Sequence, residues 1–521
     1  MKDEIIEERE KKNKLNVSDS ISFFELREQY KVSLRKKKIN EILSVKRNIK
    51  NMKKSEFEPI IKLDKINPQL KSNTNLDSKS QILFFLDLLN DYRKIDNNTY
   101  YILDQINDNL CQLKNNPKDI IDIELTEKLI YFISEFHYKD KRLIYLFFKI
   151  FLNISTIPNQ DLMESFVTIN FLQIIYDILI ELYKDSNDYY EIIEIILLFL
   201  GNFLEDNPFI QSNLYKYRIF SLIFDFIENN KNKNSFSYYN ILYKSIGFFV
   251  CFSSVNPPQN PNEQIDYFQI IDFECIQKLY LIFSHFLFNL NNKDSILDCI
   301  WGLSFLPHYN CEIIISNYFK DNIFNKLYEL AYLNNYYMIP IIRTLGNVTS
   351  LNDEFCIKIC DDNLSNFLIS NLQNKYIPNQ VKIEILWVIS NLCLGTNMNC
   401  LYKYNLLKVI LNIINSEQNK NVLIEALKVL LICLNNSVTI DILCDSIVDI
   451  VGRFIHKYED LEIIMILAII CEIIFNNPNQ NYIYKLINYG IREILEKWAL
   501  NDNEELRESA NKMLNNKYFI N

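Results

Sequence analysis

Three short phrases recur late in apolar stretches of this chain, and each ends in asparagine. They are Phe199-Leu-Gly-Asn202, Thr344-Leu-Gly-Asn347 and Val388-Ile-Ser-Asn391. Weaker versions end at Asn153, Phe249 and Phe305, so that successive ends lie 49, 47, 56, 42 and 44 residues apart. A period of this length is typical of stacked units of two or three helices each. The sequence therefore predicts a repeat protein.

Glycine follows the same period. The chain has only seven glycines, and five of them stand in or just after these phrases: Gly201, Gly247, Gly302, Gly346 and Gly395. A residue without a side chain lets neighbouring helices approach closely and tolerates the chain reversal at a helix end. Loop glycines that fall there by chance are the alternative interpretation.

The composition favours helices throughout. Apolar residues make up 49% of the 521 residues, and glycine and proline are scarce. Long apolar stretches at helical spacing, such as 191–200 and 461–475, indicate amphipathic or buried helices. We expect an all-α, right-handed armadillo-repeat solenoid of about ten repeats over residues 77–521, forming one continuous stack.

Other features bear on compartment and on catalysis. The longest apolar run is too short to cross a bilayer, the first 14 residues are highly charged, and the twelve cysteines show no paired CxxC spacing. We expect a soluble protein of a reducing compartment, the cytosol or the nucleus. Four scattered histidines and the lack of a glycine-rich phosphate loop predict no enzyme activity, no metal and no cofactor.

The amino end differs in charge from the rest of the chain. The net charge is −10, yet residues 27–54 contain eleven Lys or Arg and only two Glu. On a helix, Arg27, Lys31, Arg35 and Lys38 would form one cationic stripe beside Leu34. We predict a basic arm at 1–54 and a linker at 55–76, with an acidic partner for the arm. A solvated tail without a partner is the alternative.

The arm carries a family resemblance. Val32 to Ile49 resembles, without gaps, the importin-β-binding segment of importin-α, the nuclear-import adaptor family. The resemblance implies that Lys46 and Arg47 fold back into the cargo groove as an autoinhibitory pair. It also implies contacts with importin-β from Arg27, Lys31, Leu34, Arg35, Lys36, Lys37 and Lys38.

The body continues the resemblance, because the phrases ending at Phe305, Asn347 and Asn391 are similar to the third helices of the family's fifth, sixth and seventh repeats. The segment from Tyr489 to Phe519 resembles the last repeat, where the export receptor docks. The cargo-signal-binding residues implied by this register are Asn153, Asn202, Asp206, Asp298, Trp301, Arg343, Asn347, Asp353, Glu384, Trp387, Asn391 and Glu425.

The register also shows departures from the family pattern. Lys149, Leu198 and Ser245 stand where tryptophans are expected, and Phe249 stands where an asparagine is expected. In the eighth repeat Lys428 and Ile432 replace the Trp and Asn. Cargo discrimination is therefore predicted to centre on repeats six and seven.

Helical geometry explains what a Trp-x-x-x-Asn pair could do. Residues four apart share a face, so Trp387 and Asn391 would lie side by side. The amide of Asn391 offers a donor and an acceptor to an extended peptide, and an indole face attracts a lysine by about 0.5–2 kcal/mol.

The resemblance implies a nuclear import adaptor that binds Lys/Arg-rich nuclear localisation signals and links cargo to importin-β, without direct contact with nucleic acid or insertion into membranes. The alternative is an armadillo-repeat scaffold that has lost general signal recognition. Trp301 has no Asn four residues later, which favours a core residue, and Asn153 and Asn202 have the alternative role of bonding backbone at turns.

Overall fold

The computed structural model describes residues 78–519 apart from fifteen short gaps. The gaps are 92–94, 113–122, 137–139, 156–159, 169, 205–206, 256–257, 259–260, 310, 352, 395–400, 402–404, 435–439, 478 and 517. The predicted basic arm (1–54), the linker (55–76), Asp206 and Gly395 lie outside the described residues, and so does the side chain of Asp353.

By their contacts the described residues divide into two units, which we call the N-terminal unit (78–323) and the C-terminal unit (324–519). The N-terminal unit contains α1 (Ser78–Asp91), α2 (Asn97–Gln112), α3 (Ile123–Phe136), α4 (Lys141–Ile154), α5 (Gln160–Thr168), α6 (Phe171–Lys184), α7 (Tyr190–Leu204), α8 (Pro208–Lys216), α9 (Ile219–Asn230), α10 (Phe236–Ser254), α11 (Pro261–Ile270), α12 (Phe273–Asn289), α13 (Lys293–Phe305), the 3₁₀ turn Leu306–Tyr309 and α14 (Glu312–Lys320).

The C-terminal unit begins within α15 (Ile323–Leu333). It continues with the 3₁₀ turn Asn335–Tyr337, α16 (Met338–Thr349), α17 (Asp353–Ile359), α18 (Asp362–Gln373), α19 (Asn379–Leu394), α20 (Leu406–Ser416), α21 (Lys420–Leu434), α22 (Ile440–Phe454), α23 (Leu461–Phe475), α24 (Gln480–Asn488), α25 (Ile491–Trp498) and α26 (Glu504–Leu514).

In both units the helices stack as repeats. The third helix of each repeat packs on the third helix of the next, which forms one row through α2, α4, α7, α10 and α13 and another row through α16, α19, α21, α23 and α26. The periodic phrases of the sequence lie on these third helices. The predicted all-α class and the stacked helical repeats are therefore confirmed for the described residues.

Capping residues fix where many of these helices begin. Asp140 accepts hydrogen bonds from the backbone N–H groups of Arg142 and Leu143 at the start of α4. Ser235 does the same for Tyr238 at α10, and Asp460 for Ile463 at α23. Each cap satisfies N–H groups that the helix itself leaves without partners.

The turn between first and second helices recurs with left-handed backbone. Asn170, Arg218, Asn322 and Asn405 have φ values of 57–62°, and Gly490 has φ 78°. Four of these five residues tolerate that conformation, because Gly lacks a Cβ and Asn is enriched there. Arg218, at φ 62° and ψ 12°, is the exception.

Arg218→Asn is therefore expected to stabilise the N-terminal unit by about 0.5–1 kcal/mol, because Asn adopts this backbone with less strain. Chemical denaturation of both proteins measures the difference. Asn405→Ala, which introduces the same strain elsewhere, should destabilise by about 1 kcal/mol. A destabilised Arg218→Asn protein would contradict the strain account.

Two of the periodic glycines admit a neighbouring ring, as their position suggested. A Cβ on Gly302 would lie 2.3 Å from Cζ of Phe283, and one on Gly346 would lie 2.0 Å from Cζ3 of Trp387. At Gly201 a Cβ would meet only Cys251 Sγ at 3.6 Å, an ordinary contact. Close approach therefore explains Gly302 and Gly346 but not Gly201.

No single helix in the described part of the chain is long and apolar enough to span a bilayer. One bent pair, Asp161–Val167 with Phe171–Lys184, reaches the necessary length and composition across a 63° break.

Candidate functional site

The row of third helices in the C-terminal unit begins with a tight contact between α16 and α19. The indole of Trp387 on α19 lies against the backbone of Gly346 on α16, and its side chain is only 5% exposed. The ring fills the space that a side chain at position 346 would need. The Trp387 side chain is therefore packed between two helices, and the face of its ring is not exposed to a ligand.

A buried ion pair joins the same two helices. Arg343 donates from Nη2 to Glu384 Oε1 at 2.7 Å and from Nε to the same oxygen at 3.1 Å. Gln380 Nε2 donates to that oxygen as well, at 3.3 Å. Glu384 is fully buried, and its second oxygen, Oε2, has no hydrogen-bond partner among the described residues.

Asn391 links α19 to the end of α16. Its amide nitrogen donates to the backbone oxygen of Gly346 at 2.9 Å and to Oγ1 of Thr349 at 3.3 Å. From the sequence, we expected both the donor and the acceptor of the Asn391 amide to be available to a peptide. The structure commits the donor to the neighbouring repeat, while the buried Oδ1 is without a partner in the described part of the chain.

Three unsatisfied polar atoms thus follow one face of α19: Glu384 Oε2, Trp387 Nε1 and Asn391 Oδ1. Their residues are spaced by three and four, so they share that face. A buried polar atom without a partner costs about 1–3 kcal/mol, and each such atom in a protein needs a reason. Two acceptors flanking one donor match the N–H groups, C=O groups and cationic side chains of an extended peptide.

Asn347 lies one turn after Arg343 on α16 and is also buried, so sequence and structure agree that both residues belong to this row. The expected role of Asp353 stays a prediction, because its side chain lies outside the described residues.

The next step of the row is dominated by a lysine. On α21, Lys428 Nζ lies 2.9 Å from Glu425 Oε1, and it also lies 3.0 Å from Glu462 Oε1 on α23. Burial raises the pKa of Glu425, and Lys428 only partly offsets that effect. Burial acts to lower the pKa of Lys428, but Glu425 and Glu462 outweigh it and raise the pKa. One ammonium group thus serves two carboxylates.

Glu425 was predicted from the sequence as a residue of this row. Its neighbours in the row that form the contacts described above, Glu462, Gln380 and Thr349, were not predicted. The three-residue spacing of Glu425 and Lys428 is the one local signal that was available. The pairing of Lys428 with Glu462 spans 34 residues, and it follows only from the stacking of α21 on α23.

In the N-terminal unit the predicted residues are less concentrated. Asn153 Nδ2 donates to Asn107 Oδ1 at 2.8 Å, which joins α4 to α2. Asn202 is buried on α7, and its Nδ2 has no partner among the described residues. Trp301 is 1% exposed and stacks on Phe305 with a centroid separation of 6.0 Å. These positions favour packing and inter-repeat bonds, while Asp298 on α13 is partly exposed.

Charged side chains lie at or near positions 149, 198 and 245, where the resemblance led us to expect tryptophans. Lys149 lies 5.6 Å from the ring centre of Tyr145, and Lys244 pairs with Glu194 at 3.2 Å across α10 and α7. Ser245 is buried with Oγ unsatisfied within the described residues. Both charge signs therefore occur here, as they do in the row of the C-terminal unit.

No grouping of His, Cys, Asp or Glu suited to a metal ion occurs within the described residues.

No model of a known protein family matches this chain, and no curated protein matches its sequence. Solved structures do match its fold. The crystal structure of an engineered protein aligns with a TM-score of 0.59 at 15% identity, covering 83% of this chain and 98% of that chain. A structure from work on a phosphorylation switch between cadherin and beta-catenin has a TM-score of 0.51 at 12% identity, with coverage of 83% and 85%.

A designed armadillo repeat protein in complex with the peptide (KR)4 aligns over 46% of this chain and 98% of its own, at 19% identity and a TM-score of 0.39. Identities this low speak to fold alone. Together with the rows of stacked third helices, the two matches with TM-scores above 0.5 show that this chain has the armadillo-repeat fold of an all-α solenoid.

Proposed function

We propose that the C-terminal unit binds an extended Lys/Arg-rich peptide along α16, α19 and α21. The observation that carries the proposal is the set of three buried, unsatisfied polar atoms on α19. Side-chain movements that expose these buried atoms would let a peptide N–H donate to Asn391 Oδ1, a peptide C=O accept from Trp387 Nε1, and a cationic side chain approach Glu384 Oε2. Each bond would remove a desolvation cost that the free protein bears.

The charge of this row supports a cationic ligand. Glu384, Glu425 and Glu462 stand on three successive third helices, and Arg343 and Lys428 are the two cations paired with them. One negative charge therefore exceeds the local cations. An excess carboxylate at a partly desolvated surface attracts Lys or Arg more strongly than one in open water.

The finer proposal is a nuclear import adaptor. The basic arm, through Arg35 to Lys38, would bind importin-β, and Lys46 with Arg47 would compete with cargo for the groove at the high effective concentration of a tethered segment. The C-terminal repeat would receive an export receptor, and the protein would shuttle between cytoplasm and nucleus. The resemblance of residues 32–49 to the importin-β-binding segment supports this step.

Binding can be tested by fluorescence anisotropy of labelled monopartite and bipartite import-signal peptides at physiological salt. Trp387→Phe removes the indole donor and keeps most of the ring, and Asn391→Leu removes the amide at similar volume. Each change is expected to weaken binding about three- to tenfold, the free energy of one hydrogen bond. The matched controls Trp498→Phe on α25 and Asn371→Leu on α18 should leave affinity unchanged.

Equal losses in test and control variants would contradict a peptide site on α19. The adaptor role has its own test, because Lys46→Glu with Arg47→Glu in the full chain should strengthen peptide binding if the arm is autoinhibitory. Loss of importin-β binding on replacing Lys36, Lys37 and Lys38 by alanine would support the arm's role, and retained binding would count against it.

A scaffold is the second candidate, and one observation favours it. The Asn391 amide nitrogen, the Trp387 ring and Lys428 are all engaged within the protein. A face whose groups serve its own repeats has less to offer an import signal. Absence of peptide binding by the full chain and by the Lys46→Glu, Arg47→Glu protein would leave this candidate.

A further inference from the structure

The two carboxylates that contact Lys428 form a cluster with it, and the three side chains differ in depth. Glu425 is nearly buried at its base, the Lys428 side chain above it is 18% exposed, and the Glu462 side chain is 47% exposed. The ammonium group lies between the buried and the exposed carboxylate. Glu462 is therefore the member of the cluster nearest to solvent.

Negative charge exceeds positive charge around the cluster of Lys428, Glu425 and Glu462. Glu384 on α19 is close enough to Glu425 to disfavour its ionised form, and Glu462 acts in the same direction. Arg343 satisfies one oxygen of Glu384, and the other oxygen is buried without a partner in the described part of the chain. Two carboxylates, on α21 and α23, thus share a single lysine, and a third carboxylate, on α19, acts on Glu425 from nearby. A further cation would be favoured here if Lys428 gave way.

Lys428 is suited to give way. Its flexible four-carbon stem lets the ammonium move toward solvent while the stem stays packed. A guanidinium group has five donors in a planar fork. An incoming arginine could therefore make paired bonds to one of the carboxylates Glu425 and Glu462 and a further bond to the other, whereas the ammonium makes one contact with each.

We propose that Lys428 is an intramolecular substitute for a ligand cation, and that Glu425 and Glu462 form a binding pocket for an arginine or lysine side chain that Lys428 keeps closed. The proposal rests on the proposed function, because the pocket continues the same row of third helices. It names the chemical class of the ligand group and the residue that limits its access. In the wild type, a peptide cation must displace Lys428 before it reaches Glu425.

The test is the full-chain Lys428→Met protein, which keeps the stem and removes the charge. A labelled octapeptide of alternating Lys and Arg should bind it about tenfold more tightly than the wild type, with a steeper dependence on salt. Lys428→Arg should bind like the wild type. Lys485→Met is the matched control. Lys485 on α24 pairs with Asp449 on α22 at 2.8 Å, and replacing it changes the net charge by the same amount.

The outcomes separate this inference from the proposed function. If the wild type binds the peptide and Lys428→Met binds no better than Lys485→Met, the pocket is overturned and the proposed function stands. If no protein binds the peptide, the proposed function fails. The pocket is then decided by N-acetyl-arginine amide, which should raise the thermal midpoint of Lys428→Met more than that of the wild type.

Equal shifts with N-acetyl-arginine amide would overturn the pocket. Should Lys428→Met fail to fold, Lys428→Gln, which retains a hydrogen-bond donor, replaces it in both measurements with the same expected results.

Discussion

Gly346→Ala is expected to destabilise the C-terminal unit by about 3 kcal/mol, whereas Gly201→Ala should stabilise the N-terminal unit by about 0.5–1 kcal/mol. Both glycines stand in the same Leu-Gly-Asn phrase on a third helix. A Cβ at 346 would lie 2.0 Å from the Trp387 ring, and one at 201 would lie 3.6 Å from Cys251 Sγ. Overpacking dominates at the first site, and helix propensity dominates at the second.

Hydrogen exchange followed by mass spectrometry measures both effects, because it reports on α16 and α19 separately from α7. Protection should fall in α16 and α19 of Gly346→Ala and rise slightly in α7 of Gly201→Ala. Trp387→Leu in the Gly346→Ala background should recover part of the loss by making room. Similar effects of the two alanines would show that the Trp387 ring does not occupy the space beside Gly346.

Arg343→Met is expected to destabilise the C-terminal unit by about 3–5 kcal/mol, the usual result when one partner of a buried ion pair is removed. The carboxylate of Glu384 is fully buried and takes both of its short charged contacts from Arg343. Without Arg343 the charge would have only the neutral amide of Gln380 at 3.3 Å.

Chemical denaturation compares Arg343→Met with the double variant Arg343→Met, Glu384→Gln. The double variant should regain most of the lost stability, because no unpaired charge remains. Arg492→Met is the control, since its ion pair with Glu496 is more than half exposed on both sides and is worth less than about 1 kcal/mol. A loss in Arg343→Met no larger than in this control would contradict the importance of burial.

The sequence predicted the repeat and its third helices because their signals are local. Apolar spacing and the terminal Asn of each phrase depend on one helix alone, so Asn202, Asn347 and Asn391 lie on third helices as expected. The contact of Gly346 with a neighbour was likewise predicted from glycine placement. The particular ring, that of Trp387, depends on how α19 packs on α16.

The site itself was harder to predict. The resemblance placed Trp387, Glu384 and Asn391 on one face, which the structure shows, but it gave no sign that Arg343 would bond Glu384 across 41 residues. Nor could it show that the Asn391 donor bonds Gly346 O. Such pairings depend on the separation of stacked helices and on side-chain rotamers, which a single sequence does not encode locally. The arm residues lie outside the described structure and stay predictions.

Each third helix of a unit packs on the one before it and the one after it, so a substitution is felt mainly by adjoining repeats. The consequence concerns how such a chain can evolve. One position in the row carries an indole, as at Trp387, and the next carries an ammonium group, as at Lys428, while the stacking of the third helices persists. The groups that the row presents can therefore change one repeat at a time, without an intermediate sequence that fails to fold.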